Sequence, residues 1–315
     1  MRAVRYHRRG PPAGLVLEQT PQPSPAPGEV LVRVRWASVN PVDWKILLGH
    51  FRFLVKGGLP RGSGSDFAGE VAALGPGVAG LVIGQRVYGC VDPFRSTFGT
   101  MADFVPAPMG SMFAVPQEMP LRDAAALACA GLSAVQICDQ GQVLAGSRVL
   151  VNGASGGVGH LALQLARARG ARVTAVASAG RREFVESLGA DAFIDYRSTA
   201  PGSWPGDFDA VLDCVPSIPR GRHAGLLRPG GRYVTTVPGA ATYLLDPIAN
   251  RLGQIHRSGL MLMPSAAAAE ELNSAYLSGR LRVAIEAEYP LTEARAALEH
   301  SMAGHVRGKL LVSTG

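Results

Sequence analysis

The stretch Val149-Leu-Val-Asn-Gly153-Ala154-Ser155-Gly156-Gly157-Val158-Gly159 decides the fold. Its short apolar run reads as a buried strand and its glycines as a tight corner. The helical spacing that follows runs over 159–169, with Gly170 placed to close the helix. Aligned on the dinucleotide fingerprint, the corner reads Ala154-x-Gly156-x-x-Gly159. Gly156 would let the backbone approach a pyrophosphate, and Gly159 would let the helix pack closely on the strand. The helix N-terminus, with its unpaired N–H groups and positive dipole end, favours an anion. A glycine triplet alone says little; the strand before it, the helix after it and a further strand beyond supply its meaning.

Working outward, strands are expected over 172–177, 192–196, 209–213 and 233–237, with a helix over 181–188. The segment 201–207 is too rich in Pro and Gly for a helix, so one crossover should be short or irregular. Strands alternating with helices imply a doubly wound parallel α/β sheet of the Rossmann type. Helices are also expected over 124–140, 266–278 and 292–302. The first hundred residues are different in texture. Val30 to Trp36 alternates apolar and charged residues, Pro-rich chain precedes it, and Gly57, Gly58, Gly62, Gly64, Gly75, Gly77 and Gly84 punctuate turns. That is a β-rich barrel or sandwich-like unit.

Composition agrees. The 315 residues suit two domains, and a chain 47% hydrophobic and 17% charged buries a substantial core. The net charge of +7 comes from scattered arginines, which suits an anionic cofactor better than a nucleic-acid surface, so no nucleic-acid partner is expected. Cys90, Cys129, Cys138 and Cys214 show no paired spacing, which fits a reducing compartment rather than a disulfide framework or zinc knuckle. The N-terminus lacks a signal-peptide pattern, and the apolar run 124–138 is too short to span a bilayer. A cytoplasmic protein without a membrane partner is expected.

The second strand selects the cofactor. An NAD site needs a carboxylate near that strand's end. Here Ser178 and then Arg181 and Arg182 follow, with no acid before Glu183, so a hydroxyl and two guanidiniums could engage a 2′-phosphate. NADPH is the expected cofactor.

These residues resemble the zinc-independent quinone oxidoreductase and enone reductase branch of the medium-chain dehydrogenase/reductase superfamily. The likeness runs nearly end to end, through Pro27-Gly-Glu-Val-Leu-Val-Arg33, Ser38-Val-Asn-Pro-Val-Asp-Trp-Lys45, Gly64-Ser-Asp-Phe-Ala-Gly69 and Gly84-Gln-Arg-Val-Tyr-Gly89. It continues through Leu188-Gly-Ala-Asp191, Leu227-Arg-Pro-Gly-Gly231 and Arg307-Gly-Lys309. The resemblance implies a GroES-like catalytic domain from 1–120 and 281–315, a Rossmann domain over 121–280, and an active cleft at their junction. It also implies hydride transfer from NADPH to a quinone or an α,β-unsaturated carbonyl, and a homodimer. The zinc dehydrogenases of the superfamily carry a Cys in the region of Asn40 to Asp43 and a Gly-His-Glu in that of Ser65-Asp66-Phe67. This chain offers no such ligand set, and no metal is expected.

By the same resemblance Asn40 is the residue at substrate and nicotinamide. Asp43 and Lys45 would form an orienting pair, with Lys45 donating to the enolate, and Ser133 would place its hydroxyl near the nicotinamide. The same residues also suit a turn opened by Asn40-Pro41 with Asp43 capping a short helix. Phe51 stands where relatives have a Tyr, so a phenolic proton donor is lacking; His50 titrates in the useful range. Trp44, Phe51 and Phe53 would form a flat hydrophobic face. Cofactor contacts are expected from Gly153, Ala154, Ser155, Gly156, Gly157, Val158 and Gly159, from Ser178, Arg181, Arg182 and Tyr196, and from the strand ends Asp213, Cys214, Val215 and Val237. Arg307 and Lys309 would approach the cofactor phosphate. Two other activities fit the same residues: a non-catalytic NADPH-binding redox sensor, and a tailoring enoyl reductase for a polyketide-like intermediate.

Overall fold

A computed structural model describes the backbone of residues 1–315 and the side chains of all but 240, 241 and 252. The chain divides into two compact units: 1–129 with 264–269 and 285–315, and 130–263 with 270–284. The first divide falls inside the helix Leu121–Gln140 rather than ahead of it. That helix has 20 residues, long and apolar enough to cross a membrane, yet it is mostly buried in the protein's own core. The helix expected over 124–140 thus begins three residues earlier, at Leu121.

The first unit is β-rich, as its turns require. Its larger sheet orders the strands Ile285–Pro290, Lys309–Ser313, Glu29–Ser38, Asp66–Leu74, Arg86–Cys90 and Met112–Ala114, with Phe104–Pro108 also paired to Glu29–Ser38. Alternation in Glu29–Ser38 sends Val30, Val32 and Val34 into one core with Phe67, Val71 and Val87. The late strand Lys309–Ser313 runs antiparallel to Glu29–Ser38 in the register Leu311↔Ser38 and Val312↔Ala37. Two residues further on, that register sets Lys309 opposite Asn40, and Val39 N–H donates to the Leu310 carbonyl at 2.9 Å. Ser38 in turn faces Asp66 on the next strand.

The nucleotide unit carries six parallel strands in the order Ala192–Asp195, Arg172–Ala177, Arg148–Asn152, Phe208–Asp213, Leu227–Thr235, His256–Gly259. Leu150, Val176, Phe208, Val211 and Tyr233 lie in its core. The crossover to Phe208–Asp213 holds only a 3-10 turn, Pro201–Ser203, as its Pro and Gly content required. The fifth strand begins at Leu227, earlier than expected, because Pro229-Gly-Gly is carried within the strand as a register irregularity. The sixth strand and the helices Ala240–Leu244 and Asp246–Leu252 are additions: their apolar residues are too few and irregular to reveal a period.

Candidate active site

In the nucleotide unit, the strand Arg148–Asn152 ends at the corner and the helix Gly159–Ala168 follows. A Cβ on Gly159 would lie 2.1 Å from the Gly153 carbonyl oxygen, so only glycine lets the helix start this close to the strand. Gly156 differs. A Cβ there meets nothing nearer than the Gly153 oxygen at 3.4 Å, so internal packing does not demand glycine, whereas a pyrophosphate approaching the backbone would. The corner therefore fits a dinucleotide on its own geometry.

The wall beside the corner is wired through buried groups. Asn152 Nδ2 donates to Asp213 Oδ1 at 2.7 Å, to the Val215 carbonyl at 2.9 Å and to Ser217 Oγ at 3.0 Å. Tyr233 OH donates to Asp213 Oδ2, and the His223 ring stacks on Tyr233 with centroids 3.5 Å apart. Burial pushes the Asp213 carboxyl up to about 6, with Tyr233 and Asn152 pulling the other way. Asp213 is fully buried, so it acts by tying residues 213–217 to the glycine corner rather than by touching a cofactor. Val215 and Val237 are exposed at the strand ends. Cys214 donates its N–H to Asn152 O, and burial drives its thiol well up, away from nucleophilic use.

At the adenosine end, Tyr196 N–H donates to Ala177 O, which sets the exposed Tyr196 ring beside the second strand's end. Ser178 and Arg181 are half-buried on the turn after that strand. Arg182 points elsewhere: its guanidinium pairs with Glu186 at 3.3 Å and lies 4.5 Å over the Phe193 ring. Asp195 ends the neighbouring strand, opposite Ala177, but its Oδ1 accepts from Arg197 N–H within its own turn. Ser133 is buried in the helix Leu121–Gln140.

In the β-rich unit a buried polar cluster surrounds Asn40. Asn40 opens the helix Pro41–Leu48, where Pro41 suits the first turn and Asp43 Oδ2 accepts the Asn40 N–H at 2.7 Å. The capping role anticipated for Asp43 is thus real. Asp43 Oδ1 also accepts from Ser65 Oγ at 2.9 Å, and Asn40 Nδ2 reaches Ser65 Oγ at 3.4 Å. Lys309 Nζ donates to Asn40 Oδ1 at 2.6 Å and to Val39 O at 3.1 Å, and stands 3.8 Å from Asp66 Oδ2. Burial pushes Asp43 up to about 7, offset by the Asn40 N–H and aided by the nearby charge of Asp66. Asp66 is raised for the same reason; Lys309, Asn40 and Ser38 lower it in part, but neither carboxyl oxygen has a well-formed hydrogen bond.

Other expected residues lie apart. Lys45 does not pair with Asp43; its ammonium sits 5.5 Å over the Trp44 ring. Trp44 donates to Ser301 Oγ at 3.1 Å and packs on the core, Phe51 meets Phe94 edge-on, and Phe53 is exposed beneath Arg52. Their contacts therefore lead away from one another rather than onto a single face. His50 is exposed beside Trp44. Arg307 is exposed, and Lys309 lies in the cluster around Asn40. No sequence signal linked Lys309 to Asn40, because the link exists only through strand register.

A model of the alcohol dehydrogenase GroES-like domain matches residues 26–117, and one described as zinc-binding dehydrogenase matches 188–312. The chloroplast envelope quinone oxidoreductase homolog of Arabidopsis thaliana is 34% identical, covering 99% of this chain and 98% of that protein. The chain belongs to the medium-chain dehydrogenase/reductase superfamily. Among solved structures of the superfamily, the quinone oxidoreductase from Coxiella burnetii superposes with a TM-score of 0.92 at 32% identity, covering 100% of this chain and 99% of that one. The 2-methylene-furan-3-one reductase of Solanum lycopersicum is 30% identical over 90% of this chain and 71% of its own length. As a member of this superfamily the protein is an oxidoreductase with a nicotinamide-dinucleotide Rossmann domain and a small-molecule substrate. Among the described residues no group of three or more His, Cys, Asp or Glu could hold a metal ion.

Proposed function

We propose that this oxidoreductase transfers a hydride from NADPH to a quinone or to the β carbon of an α,β-unsaturated carbonyl, without a metal. Bound NADPH supplies the hydride. The chain's own residues do the rest. The glycine corner binds the pyrophosphate, with Ser178 and Arg181 placed for the 2′-phosphate and Tyr196 for the adenosine. Asn152, Asp213 and Tyr233 hold residues 213–217 as a wall beside the corner. As hydride adds, negative charge grows on the acceptor's carbonyl oxygen, and a preorganised donor there lowers the barrier. The Asn40 amide is that donor, held in a buried cluster that limits competing water. Phe51 carries no proton, so solvent protonates the α carbon.

The single observation that carries this reading is the Asn40 amide, buried and oriented by hydrogen bonds, at a site whose side chains cannot assemble a zinc shell. Stopped-flow loss of NADPH absorbance against a panel of quinones and enones tests it. Rapid decay with at least one acceptor, and slower decay with NADH, is expected; no turnover with any acceptor would remove the proposal. The exposed Tyr243, Leu244, Leu245 and Ile248 suit a homodimer interface, and light scattering at the monomer mass would exclude that assembly.

A further inference from the structure

We propose that Lys309 is a positioning residue for the reduction: its ammonium fixes the Asn40 amide so that Nδ2, and not Oδ1, is presented to the acceptor oxygen. This rests on the reading of Asn40 as the polarising donor. An asparagine amide has two ends of nearly the same shape, an acceptor oxygen and a donor NH2, and only its partners decide which way it points. An ammonium carries donors and no acceptor, so the amide atom 2.6 Å from Lys309 Nζ is Oδ1. The reversed amide would set an NH2 against an NH3 group in a pocket where Lys309 is only 3% exposed.

The rest of the cluster agrees. Ser65 Oγ gives its hydrogen to Asp43 Oδ1 and so turns a lone pair toward Asn40 Nδ2. The donors run one way: Lys309 to Asn40, Asn40 to Ser65, Ser65 to Asp43. Such a chain, begun by a cation and ended by a carboxyl, polarises each member and strengthens the Nδ2 hydrogens as donors. The Ser65 contact is long at 3.4 Å, and the other hydrogen faces Asp66 without forming a well-made bond, so an acceptor oxygen can compete for Nδ2. The residue type is telling too. Of 31 basic residues only 45, 56 and 309 are lysines, and a compact ammonium suits a site with a carbonyl on one side and an amide on the other better than a planar guanidinium fork. With Nζ spent on Asn40 and Val39, Lys309 has no reach for a cofactor phosphate.

The test is a double-mutant cycle with an independent spectroscopic arm. With wild-type turnover established on the best acceptor, Lys309→Met should lower kcat about 10–100-fold, the cost of a misaimed donor. NADPH affinity by fluorescence titration should stay within about twofold, because no cofactor contact is lost. Asn40→Ala with Lys309→Met should be no slower than Asn40→Ala alone; additive losses, or weaker NADPH binding at unchanged kcat, would overturn the assignment. In the second arm, asparagine is labelled with 15N. The chain has four asparagines, 40, 152, 250 and 273, so the side-chain amide region is simple and Asn40→Ala assigns its pair. Lys309→Met should move the Asn40 pair and leave that of Asn152 in place; an unmoved Asn40 pair refutes the role. Lys309→Gln, a neutral donor, replaces Lys309→Met in both arms if the apolar variant does not fold. The spectroscopic arm needs no turnover, so an inactive wild type would end the functional reading while this one is still decided.

Discussion

Two asparagines near the ends of central strands, Asn152 and Asn40, have opposite wiring. Asn152 spends its Nδ2 hydrogens on three acceptors, Asp213, Val215 and Ser217, which leaves nothing for a ligand. Asn40 has its oxygen filled by a cation, while its Nδ2 makes one long contact to Ser65 and faces Asp66 without a well-formed bond. Residue type and place on the sheet are alike; hydrogen-bond saturation is what separates them. The lesson is to count unspent donors before assigning chemistry to a buried amide.

The largest expected effect tests the ground both stand on. Gly159→Val drives side-chain atoms into the Gly153 carbonyl and should cost more than about 3 kcal/mol or abolish NADPH binding; a variant that melts normally and binds normally would contradict the corner's geometry. Next, Asn40→Ala should cut kcat roughly 10²–10³-fold, the usual cost of one oxyanion donor, and, because it removes an N-cap and the partner of Lys309, lower stability by about 1–3 kcal/mol as well. A thermal shift without a kinetic one would make Asn40 a brace. Asn152→Ala is the mirror experiment. It strands Asp213 and frees residues 213–217, so Tm should fall with a loss of about 1–3 kcal/mol, NADPH should bind more weakly, and kcat at saturation should hold.

A smaller effect separates the clusters by pH. Asp43 has a folded pKa near 7, above its unfolded value of 3.8. The folded protein holds that proton longer, so this group's contribution to stability declines as pH rises from about 4 to 7 and is level above. Wild type should therefore lose stability relative to Asp43→Asn between pH 5 and pH 8, by roughly 1–3 kcal/mol; parallel Tm profiles would show that Asp43 does not titrate there. The smallest effect is Lys45→Ala. Its ammonium rests on Trp44 and not on the cluster, so kcat should change less than about twofold, whereas a large loss would restore Lys45 as the enolate donor.

Much of the nucleotide unit was legible because its signals are local. Glycines occupy the corner, a strand and a helix flank it, and Pro and Gly in 201–207 announce the missing crossover helix. Asn40 was singled out only through family likeness, and Lys309 only as a phosphate contact, with nothing to tie it to Asn40. Its partner lies 269 residues away, and only antiparallel register brings the two together. Tyr233 gave no sign either, since an aromatic in a buried strand looks the same whether or not its hydroxyl has a partner. The flat aromatic face failed because adjacency in sequence around a helix end sends Trp44, Phe51 and Phe53 in different directions.

The strand Lys309–Ser313 has a consequence for birth on the ribosome. Asn40, Asp43, Ser65 and Asp66 emerge early, and the nucleotide unit is then made in full before the cation that compensates them exists. Throughout that interval the Asn40 amide is without its Lys309 partner, which comes only with the last strand of the sheet to be made.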